Sequence, residues 1–460
     1  MDRNTIIGFV LIGLVLMIWM WMNAPPPPQP GTGVDSTAAH AVRIDSSRTH
    51  PAPVERREIA TQDTLGKYFS HLSHGNKKTL VIETPRYRAE LSSRGGAIQS
   101  WILKRYKTWD QYPVNLINGD TTREFNLMFY SSDGKLINAR GLMFETQFRD
   151  GDVITLGEND SATVDFVLRV NEKSRIVKSL TFHGGAYMFD AAFRFEGMQD
   201  IISNYEYQVT WESGLRYLER NTINESNSAK AFAFAGGEMT EVDATNFTDT
   251  PPRPPDVQNI GGRVTWVATR NKYFAVAIIP REKETQGASL EGRRVHLPNN
   301  GAKENYGIAL KMPYSGRPLE TDRFSVFLGP LDFGDVKHYH LELDRIMSLG
   351  AAWIIRPISE YVIIPCFEFL RMFIPNYGLV LILFSIIIKV VLYPLTKSSM
   401  TSMRKMQALQ PMMDEIREKF KEDPQKMNQQ IMRLYKEYGV NPAGGCLPMM
   451  LPLPILLALF

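Results

Sequence analysis

The chain has 460 residues, 44% of them hydrophobic and 22% charged, with a formal net charge of +3. That is enough chain for a large core plus membrane segments, and too balanced a charge to single out nucleic acid as a partner. Two cysteines, Cys366 and Cys446, form no disulfide framework and lie in no metal-ligand spacing.

Residues 6–22, IIGFVLIGLVLMIWMWM, follow Asp2 and Arg3 and exceed the ~7–15-residue apolar core of a signal peptide. No A-x-A site follows, so residues 1–23 read as an uncleaved membrane anchor. Residues 24–65 carry a proline run and then Gly, Ser and Thr with almost no aliphatic pattern, the composition of a disordered tether.

From about Thr79 to Leu341 the chain consists of short alternating runs: TLVIET, YRAELSS, AIQSWIL, FNLMFY, ATVDFVLRV, RIVKSLTF, AYMFDAAFRF, YEYQVTW, VTWVATR, YFAVAIIP and FSVFLGP. Period two, with Gly, Asn and Asp between runs, predicts one large all-β sandwich or barrel over 66–345, with PPRPP at 251–255 as a loop within it. Residues 346–375 are apolar and aromatic but interrupted by Arg356, Glu360, Glu368, Arg371 and prolines, which suits a helix lying in a membrane interface.

Residues 376–396 are long enough to cross a bilayer, and Lys389 is the single formal charge in the run from Tyr377 to Leu395. A buried ammonium costs ~2.5–3.5 kcal/mol on insertion scales, so it marks a function unless it snorkels to the headgroups. Helical spacing puts Ser385, Lys389 and Tyr393 on one face, with Thr396 beyond, and the span is expected to end at Pro394–Lys397.

Residues 397–441 read as a hairpin of two helices. Met406, Leu409, Met413, Ile416 and Phe420 repeat at spacings of three and four. Pro411 restarts the first helix, Asp423 caps and Pro424 opens the second, and Gly439 and Pro442 end it. From 396 to 441 nine Lys and Arg face six Asp and Glu, an excess expected of a cytoplasmic loop. The β-domain is then expected on the opposite, periplasmic side. Leu447 to Phe460 is apolar but only 14 residues long, so the sequence reads as stopping inside a further span.

At this point a family emerges. NYGLVLILFSIIIKVVLYPLTKSSMTSMRKMQALQPMMDEIREKF and LYKEYGVNPAGGCLPMMLPLPILLALF closely resemble the core of the YidC/Oxa/Alb membrane protein insertases, and TPRYRAELSSRGGAIQSW and WVATRNKYFAVAIIP resemble the Gram-negative form. The resemblance implies a periplasmic β-supersandwich of galactose-mutarotase type joined to an α-helical insertase core in the bacterial inner membrane, with two more core spans beyond Phe460. It implies no enzyme activity and no cofactor. Nascent membrane-protein substrates, the lipid bilayer, the Sec translocon and the ribosome are the implied partners.

The family's groove cation falls on Lys389, where the most familiar pattern has arginine, with Ser385, Tyr393 and Thr396 beside it. Pro452 stands where many relatives carry glutamine. On the hairpin, Met403, Arg404, Lys405, Met406 and Met413, with Met400 and Met412, are the expected client or ribosome contacts, although the repeat alone equally makes the methionines hairpin core.

Two readings of other classes compete with this one. An ion-coupled transporter predicts inverted repeats and paired intramembrane acids, and the sequence shows neither. A sugar-binding or sugar-converting β-domain needs histidines such as His183, His296, His338 and His340 to converge with carboxylates. There is no HExxH, Walker loop or Rossmann fingerprint, and His71 and His74 flank the tether.

Overall fold

In the computed structural model, residues 65–119, 123–245, 256–297, 301–347, 355–421, 423–439 and 452–459 are described. The N-terminal anchor, nearly all of the tether, PPRPP and the GGC block with Cys446 lie outside them.

All eleven alternating runs are strands. In chain order the strands are β1 Thr79–Glu83, β2 Tyr87–Ser92, β3 Ala97–Lys107, β4 Pro113–Asn115, β5 Asn126–Ser131, β6 Leu136–Asn138, β7 Asp152–Thr155, β8 Ser161–Arg169, β9 Arg175–His183 and β10 Met188–Glu196. They continue with β11 Ile202–Trp211, β12 Lys230–Ala235, β13 Glu238–Val242, β14 Asp256–Gly261, β15 Val264–Arg270, β16 Phe274–Pro280, β17 Gly287–Leu297, β18 Gly301–Pro313 and β19 Leu319–Pro330.

They build a sheet of eight strands (β13-β12-β15-β16-β19-β10-β9-β8), one of six (β14-β17-β18-β11-β5-β6) and one of five (β4-β3-β2-β1-β7). Pairing is antiparallel except between β1 and β7. One contiguous buried core runs from Phe69 to Ile346, so the sheets fold around a shared interior. Its centre is aromatic: Tyr87 stacks on Trp101 at 4.0 Å, and Phe189 lies 5.8 Å from Trp101 and 5.4 Å from Phe182.

The segment after β19 stays on the sandwich. Leu343 and Ile346 are buried, the Trp266 indole N–H donates to the Leu341 carbonyl at 3.0 Å, and Arg270 donates to the Ile346 carbonyl at 2.9 Å. Beyond it, residues 355–373 form one helical run made of Ile355–Ile358, a π-type turn Ser359–Ile363, and α1, Ile364–Phe373. The wider turn has a cause. Pro365 has no N–H to continue the ladder, and the backbone widens just before it.

Next comes α2, Tyr377–Ala408, whose first turn is capped by the Asn376 side chain. The window apolar enough to span a bilayer is Tyr377–Pro394, but the helix itself does not stop there. The helix carries Pro394 inside it and continues to Ala408, so Met403, Arg404, Lys405 and Met406 ride on its extension. At ~1.5 Å per residue its 32 residues reach ~48 Å, well past a ~30 Å hydrocarbon layer.

The hairpin proper is α3, Gln410–Lys419, opened by Pro411, and α4, Pro424–Glu437, opened by Pro424 with Asp423 accepting from the Lys426 N–H at 3.1 Å. Gly439, at φ +59°, terminates it in a conformation glycine adopts without strain. Finally, α5, Pro452–Leu459, packs with the 355–373 run and α2 around Ile363, Leu370, Val380 and Phe384.

Candidate functional site

The face of α2 that the sequence singles out is an exposed polar stripe. Ser385, Lys389, Tyr393 and Thr396 are all exposed. The Ser385 hydroxyl donates to the Leu381 carbonyl at 2.8 Å and the Thr396 hydroxyl to the Leu392 carbonyl at 2.9 Å. Each hydroxyl is thus satisfied one turn back on its own helix, as an apolar surrounding demands.

Lys389 differs. Among the described residues its ammonium has no hydrogen-bond or ion-pair partner, and with three donors and no acceptor it needs water or an anionic group.

Beside the stripe runs an apolar cleft of about 350 Å³ between Phe384, Ser385 and Ile388 of α2 and Leu453, Leu456 and Leu459 of α5. Ser385 belongs to both surfaces. Sequence reasoning found the stripe and missed the cleft wall, because Phe384 and Ile388 look like any other lipid-facing side chain until α5 is placed against them. The Ser359 hydroxyl, hydrogen-bonded to the Ala458 carbonyl at 3.2 Å, was missed too, and it ties α5 to the 355–373 run. The Pro452 side chain lies outside the described residues.

The hairpin divides the expected contact residues in two. Met400 and Met403 are exposed, as are Arg404 and Lys405. Met413 is buried with Leu409 and Leu434, Met406 and Met412 pack against that cluster, and the Tyr435 hydroxyl donates to the Met413 sulfur at 3.0 Å. Met413 is therefore a core residue of the hairpin and not a contact surface. The three-and-four spacing decides its fate, since the same positions that face a client would face the partner helix.

In the β-domain the histidines do not gather. His183 lies 3.0 Å from Asp190, and the other Asp190 oxygen accepts from the Ser325 hydroxyl at 2.6 Å. Serine and histidine thus share a carboxylate without touching, and the Ser325 hydroxyl accepts from the Arg281 guanidinium at 2.6 Å instead of meeting the imidazole. His338 and His340 are exposed, the His296 side chain lies outside the described residues, and no group of three His, Cys, Asp or Glu among those described is placed to hold a metal.

Comparison with known proteins accounts for both halves. The family "YidC periplasmic domain" matches residues 79–360, and "60Kd inner membrane protein" matches 369–460. The membrane protein insertase YidC of Chlorobaculum parvum is 36% identical over 462 residues, covering 100% of this chain and 76% of its own length. That of Prosthecochloris aestuarii is 37% identical over 461 residues, with the same coverage.

The chain belongs to the YidC family of membrane protein insertases.

Its insertase function and inner-membrane location follow from that membership, as does the division into a β-rich periplasmic-type region and a helical region. Among solved structures, a galactose mutarotase related enzyme from Lactobacillus acidophilus overlaps 54% of this chain and 97% of its own at 12% identity, with a TM-score of 0.35. A likeness that distant carries no argument about a sugar ligand.

Proposed function

We propose that this YidC-family chain inserts membrane proteins through a hydrated groove on α2, in which Lys389 supplies the cation and the apolar cleft beside Ser385 supplies the exit to lipid. The observation that carries this reading is an ammonium with no partner among the described residues, on a run of helix, Tyr377–Pro394, long and apolar enough to span a bilayer. An ammonium without a partner at that depth needs water, and water beside it lowers the barrier for a client's polar or acidic flank. Attraction adds to hydration. At ~6 Å and an effective dielectric constant of about 20, one client carboxylate gains ~3 kcal/mol.

Apolar client segments lie against Phe384, Ile388 and Leu456 and partition sideways into lipid. No bond is made or broken. Ser385, Tyr393 and Thr396 extend the polar track, while Met403, Arg404 and Lys405 offer clients or the ribosome an adaptable, cationic surface. In this reading the β-domain is periplasmic, the hairpin is cytoplasmic, the chain crosses the membrane several times, and the Sec translocon is a working partner.

The test is insertion of clients with acidic translocated tails into proteoliposomes at matched protein levels. Lys389→Arg should keep the rate, since arginine preserves the charge. Lys389→Ala should slow it by roughly 100-fold, the kinetic equivalent of the ~3 kcal/mol above, and Lys389→Glu should slow it further. Full activity of the alanine variant across several clients would reduce Lys389 to an interfacial anchor.

A further inference from the structure

The β-domain carries large aromatic side chains in water for no folding reason. Residues 108–112, TWDQY, form a tight turn at the end of β3. The Thr108 N–H donates to the Tyr112 carbonyl at 2.8 Å, the Gln111 N–H to the Thr108 carbonyl at 3.0 Å, and the Thr108 hydroxyl to the Tyr112 carbonyl at 3.1 Å. The turn is thereby fixed, yet it holds Trp109 56% and Tyr112 68% exposed, with Tyr273 next to it 40% exposed. A cleft of about 410 Å³ separates Trp109 from Tyr273, floored by Leu218 and Leu331. Arg220 sits 5.8 Å from the Trp109 ring and Lys272 lies 5.3 Å from that of Tyr273.

Position gives this patch a meaning. The Leu331 N–H donates to the Tyr273 carbonyl at 2.7 Å, so the patch lies where the chain leaves β19, the last strand. Tyr273 also sits in the short connection between Arg270, which ends β15, and Phe274, which opens β16. Arg270 is the residue that holds the Ile346 carbonyl. In that same segment Asp344 pairs with Arg356, which also donates to Glu360 at 2.6 Å and opens the helical run that exposes Tyr361, Phe369 and Phe373. The aromatic turn therefore belongs to the end of the sandwich from which the membrane-bound helices depart.

We propose that Trp109, Tyr112 and Tyr273 form a foot by which the β-domain stands on the bilayer, with their rings at the headgroup level of the leaflet it faces. Trp and Tyr prefer that level because one end of the ring is apolar and the other polar. Charge does not drive the contact. Lys107 and Lys272 are offset by Glu219 and Asp332 around the cleft, and Arg220, beside the Trp109 ring, is offset by Asp110, which follows Trp109 in the turn. The inference rests on the 355–373 run lying at the membrane and extends that reading to the β-domain.

The experiment uses the full chain in proteoliposomes containing lipids brominated close to the headgroup. The chain has seven tryptophans, so the Trp109 signal is taken as the emission of the wild type minus that of Trp109→Phe. That difference should fall at least about twofold in brominated lipid relative to plain lipid, and should do so at low and high salt alike. A double variant, Trp109→Phe with Tyr112→Trp, moves the reporter along the turn and should be quenched as well.

An unquenched difference signal overturns the foot, whether water or another protein covers the turn. Loss of quenching at high salt also overturns it, because the contact would then be electrostatic. Client insertion measured in the same vesicles separates the two proposals, since an active insertase with an unquenched Trp109 sinks the foot alone.

Discussion

The sandwich and α2 treat the same kinds of side chain in opposite ways. Inside the sandwich Lys178 is fully buried, yet its ammonium donates to the Phe125 carbonyl at 2.5 Å and lies 4.9 Å from the Phe125 ring and 5.7 Å from that of Phe193. Asp322, also buried, accepts from the Tyr207 hydroxyl at 2.5 Å and from Lys283 at 3.1 Å. On α2 the arrangement is inverted. Lys389 has no such partner among the described residues, and Ile382, Ile386, Val390 and Val391 are each more than half exposed. Only 11% of the apolar window Tyr377–Pro394 is buried within the chain. One region satisfies its charges internally and hides its hydrocarbon, while the other displays hydrocarbon and leaves its charge to the surroundings. A single chain is thus built for two solvents.

The largest expected effect breaks that contrast directly. Phe189→Ala removes a ring packed among Trp101, Phe125 and Phe182 and should destabilise the sandwich by about 3–5 kcal/mol. Ile386→Ala truncates an exposed side chain on α2 that the proposed groove turns to lipid, and should stay within about 0.5 kcal/mol. The measurement is denaturant unfolding of the full chain in micelles, followed by the near-ultraviolet signal of the sandwich. Similar losses at both positions would mean that Ile386 has a protein neighbour and that the exposed face of α2 is not a lipid face.

A second, smaller effect comes from two buried titratable groups of the sandwich whose pH dependences oppose each other. Desolvation pushes the Lys178 ammonium down from 10.5 to about 7, and it pushes the Glu124 carboxyl up from 4.5 to about 7. Between pH about 7 and 10.5 the unfolded chain holds the Lys178 proton and the folded chain does not, so the stability this site contributes is lost as pH falls from 10.5 to about 7. Between 4.5 and about 7 the folded chain holds the Glu124 proton and the unfolded chain does not, so stability is lost as pH rises. Together they place a minimum near pH 7.

Lys178→Met should abolish the rise on the alkaline side, and Glu124→Gln should abolish the fall on the acid side. Both are read as Tm against pH. A flat wild-type profile would show that water reaches these groups.

How much of this was legible follows from what alternation records. The eleven runs announced their strands because aliphatic or aromatic residues fill most of their inward positions, Lys178 of β9 being an exception. β17 and β18 escaped, although they form a long hairpin of the six-stranded sheet, because β18 points Ala302, Glu304 and Tyr306 inward and carries Lys303 and Asn305 between them. Glu304 is tolerated there since the Tyr217 hydroxyl donates to it at 2.6 Å, a partner 87 residues away that no local pattern reveals.

Lys389 was legible for the converse reason, as one charge against hydrocarbon. The continuation of α2 past Pro394 was not, because a proline that breaks a helix in water is tolerated in a membrane helix, where other groups re-satisfy the carbonyl it frees. Tyr273 and Trp109 lie far apart in sequence, and only the folded end of the sandwich brings them together.

The smallest effect concerns the hairpin, which has neither the large core of the sandwich nor a lipid face. Three buried residues, Leu409, Met413 and Leu434, hold α3 to α4, so local devices carry more of its order than they do elsewhere. Asp423 is such a device. Its side chain accepts from the Lys426 N–H, with the Lys426 ammonium 3.3 Å away, and these contacts hold its carboxyl below the usual 3.8. A carboxylate depressed in the folded state stabilises above pH 3.8 and loses that contribution as pH falls below it.

Asp423→Ala should therefore speed amide exchange across 424–437 severalfold at neutral pH, while leaving β-domain exchange unchanged. Asp423→Asn should restore protection, since an amide oxygen caps equally well and carries no proton to gain. The difference between wild type and Asp423→Ala should shrink on acidification. Unchanged exchange in the alanine variant would mean that α4 is held by packing alone, making the hairpin a smaller version of the sandwich.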